Sequence, residues 1–186
     1  MKTVIQITIL ATVFFSLVET TAKGVEREIW GTMPDGSEVE IFTLRCKTGT
    51  VVRVAEYGAL LVSVDTRDRE GEVDRITLSY DSLEEALSGG VFGSVIGRFA
   101  NRIDGGGFSI DGTRYDLESV NPKSNVHIHG GKTGFHRQLW KGTPERTILG
   151  DSVTFTLTSP DGHEGFPGMA SVEATYRLTR DGELSI

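Results

Sequence analysis

After residue 22, apolar and polar positions alternate in short runs broken by glycine, proline or Asp-Gly. Val39-Glu40-Ile41-Phe42-Thr43-Leu44 is one such run, and Val153-Thr154-Phe155-Thr156-Leu157 and Val172-Glu173-Ala174-Thr175-Tyr176-Arg177-Leu178 are two more. A repeat of two sends successive side chains to opposite faces, so these segments predict strands with one face in a core. Val51-Val52-Arg53-Val54-Ala55 and Leu60-Leu61-Val62-Ser63-Val64 are short and rich in β-branched residues, which suits the same state. Phe108-Ser109-Ile110 and Thr113-Arg114-Tyr115 flank Asp111-Gly112, a two-residue hairpin signal. Val95-Ile96 reads as a further strand edge.

Punctuation between the runs is regular. Pro34-Asp35-Gly36 separates the first two strands, Asp161-Gly162 and Pro167-Gly168 bracket a loop, and Asp181-Gly182 turns the chain near residue 186. One short helix is expected over residues 83–88. Ser82 and Glu85 have the spacing of a capping box, and Gly89 can take a left-handed stop. Long loops are expected near residues 118–150. Together these elements predict a single all-β body, a sandwich rather than a small closed barrel.

Residues 1–22 break the pattern. Lys2 is followed by an apolar stretch over residues 4–18 and then by Thr20-Thr21-Ala22, the order of a secretory signal peptide cleaved before Lys23. A helix over that stretch would reach about 22 Å, short of a ~30 Å hydrocarbon core, so stable membrane insertion is not expected. The chain would then be secreted or periplasmic, with residues 23–186 as its domain. The 186 residues are enough for one domain with a real core. The formal net charge of −7 argues against a nucleic-acid partner. Cys46 is the only cysteine, so no internal disulfide forms, and its place at a strand end suggests a small buried hydrophobe.

Candidate chemistry concentrates in three stretches. Gly97-Arg98-Phe99-Ala100-Asn101-Arg102-Ile103 carries Asn101 and Arg102, which offer fixed hydrogen-bond donors and an acceptor to a polar ligand. Surface or ion-paired arginines are the alternative for Arg98 and Arg102. His127-Ile128-His129 would place two imidazoles on one face of an extended segment, and Gly130-Gly131 would let the backbone turn sharply or approach a ligand. A metal pair needs further ligands, and no carboxylate follows before Glu145. A core or loop histidine and a ligand-binding histidine both remain open. Ser159-Pro160-Asp161-Gly162-His163-Glu164-Gly165-Phe166-Pro167-Gly168 is a loop stiffened by proline and glycine. In it His163 and Glu164 read either as an acid/base pair or as part of a solvated loop.

In this order, with Glu56-Tyr57-Gly58-Ala59, Tyr80-Asp81-Ser82-Leu83, Phe92-Gly93, Gly134-Phe135 and Leu139-Trp140, these motifs resemble the aldose 1-epimerase (galactose mutarotase) family. The resemblance runs from about residue 29 to residue 186, with a slightly long segment around residues 120–124. It implies a galactose mutarotase-like β-sandwich, C-terminally truncated here, that interconverts the α and β anomers of free aldoses such as glucose or galactose. It implies sugar-binding roles for Asn101, Arg102 and His129, a structural role for Arg98, and no cofactor or metal. His127 gains no role from it. The family's acid histidine and basic glutamate would lie beyond Ile186, so no catalytic residue is expected in this chain, and neither His163 nor Glu164 replaces them. A chain shortened in this way is expected to be poorly stable and to lack useful activity. The other function class is a non-catalytic, secreted carbohydrate-binding remnant of the same fold.

Overall fold

The computed structural model describes residues 25–118, 123 and 125–186. The signal-peptide segment 1–22 lies outside them, as does most of the 120–124 segment. Thirteen strands are formed among the described residues. They are β1 Glu26–Thr32, β2 Glu38–Arg45, β3 Val51–Ala55, β4 Leu60–Arg67, β5 Val73–Arg75, β6 Arg102–Ile103, β7 Gly107–Ile110, β8 Thr113–Asp116, β9 His127–Ile128, β10 Lys141–Arg146, β11 Gly150–Ser159, β12 Ala170–Thr179 and β13 Leu184–Ser185. The single α-helix described, α1, is Leu83–Ser88.

An antiparallel sheet runs β1-β2-β3-β4-β5, and a second runs β10-β11-β12-β13. The two pack face to face around one buried cluster. Phe42, Leu44, Val52 and Val54 come from the first sheet, and Val153, Phe155, Tyr176 and Leu178 from the second. The Phe42 and Phe155 rings meet edge-on across the interface, with centroids 5.9 Å apart. This is the predicted sandwich. Tyr176 adds a polar tie, its buried hydroxyl donating to the Ala59 carbonyl at 2.8 Å. Burial pushes the Tyr176 phenol up to about 12.

The first sheet departs from the one-face expectation. Ile41 and Phe42 are adjacent, yet both are fully buried. Phe42 faces the second sheet, while Val39 and Ile41 join Leu83 and Ala86 of α1 in a separate cluster. The helix therefore covers part of the sheet's other face. A bulge between the Arg53 and Val54 pairings shifts the phase of β4, so Leu61 and Val64 both pack against the inter-sheet core three positions apart.

Other expectations change for local reasons. The Asp111-Gly112 hairpin forms as predicted, with Ile110 opposite Thr113 and positive φ at both turn residues. Val95-Ile96 is not a strand; Val95 N–H donates to the Gly58 carbonyl, and the neighbouring Gly93 carbonyl accepts from Leu61. These loop contacts replace a ladder. The expected loop over 118–150 contains β9, β10 and a 3-10 turn, Phe135–Arg137. β10 reads Lys-Gly-Thr-Pro-Glu-Arg and has no apolar alternation because it is an edge strand, where Pro144 is tolerated. At α1 the Ser82 Oγ accepts from Glu85 N–H, but the Glu85 carboxylate reaches Asp81 N–H rather than the cap residue. Gly89 is extended, not left-handed. Its lack of a side chain makes room for Tyr80, whose ring would lie 2.4 Å from an added Cβ. Cys46 is partly exposed rather than buried, with its sulfur 2.9 Å from the Thr48 hydroxyl.

The Tyr176 tie is testable. Tyr176→Phe keeps the ring and strands the Ala59 carbonyl, and should cost about 1–3 kcal/mol of stability. Urea unfolding at matched slope measures it, and an unchanged midpoint would remove this bond from the inter-sheet contact.

Candidate functional site

Three segments meet beside the sandwich: residues 97–103, residues 127–137, and the β11–β12 connection at 160–169. The first two approach as bare backbone. Gly130, at φ +81°, lies so close to Gly97 that an added Cβ would sit 1.7 Å from the Gly97 carbonyl oxygen. No side chain fits there. Phe135 N–H then donates to the same carbonyl at 3.1 Å, and Arg102 and Ile103 pair with Ile128 and His127 in the β6–β9 ladder.

Asn101 and His129 are joined twice. His129 N–H donates to the Asn101 carbonyl at 2.9 Å, and Asn101 N–H donates to His129 Nδ1 at 3.1 Å. Because Nδ1 accepts, the neutral ring carries its proton on Nε2. Arg102 extends the chain of contacts by donating to Asn101 Oδ1 at 2.8 Å. The three candidate residues thus form one hydrogen-bonded constellation. Arg102 and His129 open onto different cavities of about 390 Å³ each. Phe99, Ile103, Phe108 and Phe166 surround Arg102, whereas Val91, Ile128, Gly131, Lys132, His136 and Arg137 surround His129.

The two histidines do not share a face. His129 has φ +52°, which ends the extended run at Ile128. His127 is fully buried, donates from Nδ1 to the Glu118 carbonyl at 2.8 Å, and meets the Phe166 ring edge-on. It is a core histidine. Among the described residues no group of three or more metal-ligating side chains occurs.

Arg98 is a clamp. Its guanidinium donates to the Ser159 hydroxyl at 2.9 Å and to the carbonyls of Ser159, Pro160 and Pro167 at 3.0, 2.7 and 2.9 Å. All the bonds go to the ends of the β11–β12 connection, so the structural reading of Arg98 holds. Within that connection His163 and Glu164 are neither a solvated loop nor a free pair. The Glu164 carboxylate accepts from both the N–H and the hydroxyl of Thr133. His163 lies between the Ser159 and Thr133 hydroxyls, at 2.8 and 3.1 Å. Burial draws the Glu164 carboxyl upward, but the Thr133 and Lys132 hydrogen bonds and the His163 charge outweigh it, leaving the group below its ordinary range. These two residues fasten the connection to the loop after Gly131.

Sequence reasoning passed over His136. It is buried on the 3-10 turn, lines the His129 cavity, and has an Nδ1 with no partner. Burial first, then the charges of Arg137 and His129, push it down to about 4 against a smaller upward pull from Glu164. Nothing in the stretch Gly134-Phe135-His136-Arg137 distinguishes it from a core-flanking polar residue.

The fold and the site now define a class. The architecture matches the crystal structure of a galactose 1-epimerase from Lactobacillus acidophilus NCFM with a TM-score of 0.74 and 27% identity, over 86% of this chain and 46% of that one. The sequence profile described as Aldose 1-epimerase matches residues 40–186, and the chain belongs to that family. It is 40% identical over 164 residues to the galactose mutarotase of Mus musculus, covering 87% of this chain and 46% of that protein. It is 35% identical over 167 residues to the aldose 1-epimerase of Escherichia coli K12, covering 82% and 43% respectively. The chain therefore spans less than half the length of the curated relatives it matches.

Glu164 gives the site a pH signature. Its carboxyl is lowered on folding, so its stabilising contribution is present above the unfolded value, near 4.5, and is lost as pH falls through the folded value. The stability difference between the wild type and Glu164→Gln should shrink as pH drops below about 4.5. Urea midpoints taken between pH 3 and 7 measure this. A difference that stays constant over that range would contradict the assignment.

Proposed function

We propose that residues 97–103 and 127–137 form the sugar-binding part of an aldose 1-epimerase, with Asn101, Arg102 and His129 contacting an aldose that reaches from the His129 cavity toward Arg102. The observation that carries this reading is the hydrogen-bonded constellation of those three residues, in which the Asn101 backbone is tied to His129 and its side chain to Arg102. The substrate class is free aldoses such as glucose or galactose. In the reaction a carboxylate takes the proton from the anomeric hydroxyl while a histidine protonates the ring oxygen; the opened aldehyde rotates and the ring recloses on its other face. General acid–base catalysis suffices for this, and the reading needs no metal or organic cofactor.

This chain's own residues would bind and orient the sugar. The Arg102 guanidinium and the Asn101 amide supply donors and an acceptor, and His129 supplies an Nε2–H donor of fixed tautomer. The acid and base are assigned to family positions that match nothing within residues 25–186. The alternative, a non-catalytic carbohydrate-binding module, draws support from one fact. Among the described residues the nearest histidine–carboxylate pair, His163 and Glu164, is engaged in structural hydrogen bonds. Residues 1–22 are proposed to direct export, and N-terminal sequencing of exported protein should start near Lys23; an intact Met1 would overturn this.

Polarimetry on freshly dissolved α-D-galactose or α-D-glucose tests whether this chain carries an acid and base of its own, and a rate well above buffer would overturn both readings. The chain alone should leave mutarotation at the buffer rate, since a positioned acid or base contributes about 10²–10⁴-fold each. Binding is tested separately. Arg102→Ala should weaken D-galactose binding about tenfold with an unchanged unfolding midpoint, because the side chain is exposed. Arg98→Ala should instead lower the midpoint. The reverse pattern would overturn the assignment of Arg102.

A further inference from the structure

The cavity beside His129 contains a second imidazole that the family reading leaves unused. His136 is 6% exposed, yet it is one of the residues that line the cavity. Its backbone is fixed from several directions. Phe135 N–H donates to the Gly97 carbonyl, Arg137 N–H donates to the Gly134 carbonyl, and the Trp140 indole donates to the Phe135 carbonyl at 3.0 Å. Gly58 approaches the His136 carbonyl so closely that an added Cβ would lie 2.7 Å from it. Gly134 is equally confined against the His129 carbonyl. The two imidazole-bearing segments are therefore held in a fixed mutual position.

The chemistry of the ring follows from its surroundings. His136 Nδ1 is sealed from solvent and has no hydrogen-bond partner. A sealed N–H without an acceptor is rarer in proteins than a bare acceptor. The neutral ring therefore carries its proton on Nε2, and the ring edge that reaches the cavity is the one away from Nδ1. His129 has the same tautomer for a different reason, since its Nδ1 accepts from Asn101. Two Nε2–H donors on two rigid turns then border one cavity of about 390 Å³. Such a pair suits a ligand with several neutral oxygens at fixed separations. A metal ion would require lone pairs where these rings present protons.

We propose that His136 is a second sugar-contacting imidazole of this cavity, donating from Nε2 to a hydroxyl oxygen of the aldose held at His129. The proposal rests on the reading of the His129 cavity as the sugar site. It adds a residue that selects which hydroxyl arrangement fits, because an aldose lacking an oxygen at that point leaves a half-buried donor unpaired. Lys132 and Arg137 also border the cavity, and burial first, then the Arg137 charge, keep the pull of nearby Glu164 from making the ring cationic.

The test uses the full chain labelled with ¹⁵N and long-range imidazole spectra during titration with D-galactose and then D-glucose. Without sugar, His136 should show the Nε2–H tautomer at pH 7. With sugar, the Nε2 resonances of both His129 and His136 should move along one saturation curve. Movement of His129 without His136 overturns the proposal and leaves the sugar site standing. No movement of either ring overturns the sugar site and the proposal together. His136→Phe preserves an aromatic ring without a donor and should weaken D-galactose binding about tenfold, while His136→Gln should recover most of the loss. Unchanged affinity in a folded His136→Phe variant shows a packing role only and overturns the proposal. If that variant does not fold, the wild-type titration decides.

Discussion

The contact between Gly130 and Gly97 is the constraint on which the site depends. Two backbones touch where even one methyl group would collide with a carbonyl. Everything chemical in residues 97–103 and 127–137 is positioned from that point. It brings Asn101 within reach of His129, aligns the two-residue β6–β9 ladder, and sets the Gly97 carbonyl as the acceptor that starts the 3-10 turn bearing His136. A side chain at residue 130 would also meet a left-handed φ of +81°, so the position excludes substitution on two independent grounds.

The sandwich holds this small assembly from both sides. Arg98 binds the ends of the β11–β12 connection and so ties the second sheet to the site. Glu56 ties the two sheets to each other. Its carboxylate accepts from Glu40 N–H in β2 at 3.1 Å and from Gly142 N–H in β10 at 2.9 Å. A carboxylate between strands of the two sheets and a guanidinium between loop carbonyls are both charge-assisted arrangements, stronger than neutral bonds. The motifs around Glu56 and Arg98 thus carry the family resemblance because they build the platform, while Asn101, Arg102 and His129 stand on it.

How much of this the sequence disclosed depends on whether the deciding interaction was local. β2, β3, β11 and β12 were legible because one face of each is buried against the facing sheet. The Asp111-Gly112 hairpin was legible because its turn chemistry is complete within two residues. β10 was hidden because an edge strand needs no apolar face, and the phase change in β4 was hidden because a bulge is decided by its partner strand. Gly89 looked like a helix stop but serves the Tyr80 ring, a contact nine residues away in the chain. At the site, Asn101, Arg102 and His129 came from motif resemblance, and their mutual bonds could not be read from spacing. His127 and His129 misled a period-two argument because φ turns positive at residue 129. His136 gave no signal at all, since its significance lies in a cavity assembled from segments far apart in sequence.

The electrostatic character of the His129 cavity follows from the same architecture. The glycines Gly97, Gly130, Gly131 and Gly134 let these segments touch where any side chain would collide, and the Glu164 carboxylate packed against Gly131 is engaged by Thr133. With Glu164 engaged by Thr133, its pull on His136 is outweighed, and burial together with Arg137 holds His136 neutral. A neutral His136 donor, in a cavity that Lys132 and Arg137 also border, can bond an uncharged oxygen without demanding that a counter-charge be stripped of water. An aldose meets that requirement with several hydroxyl oxygens in a rigid ring. The structural bonds of Thr133, His163 and Glu164 therefore serve the site as well as the fold: they engage the Glu164 carboxylate with Thr133 rather than with His129 or His136.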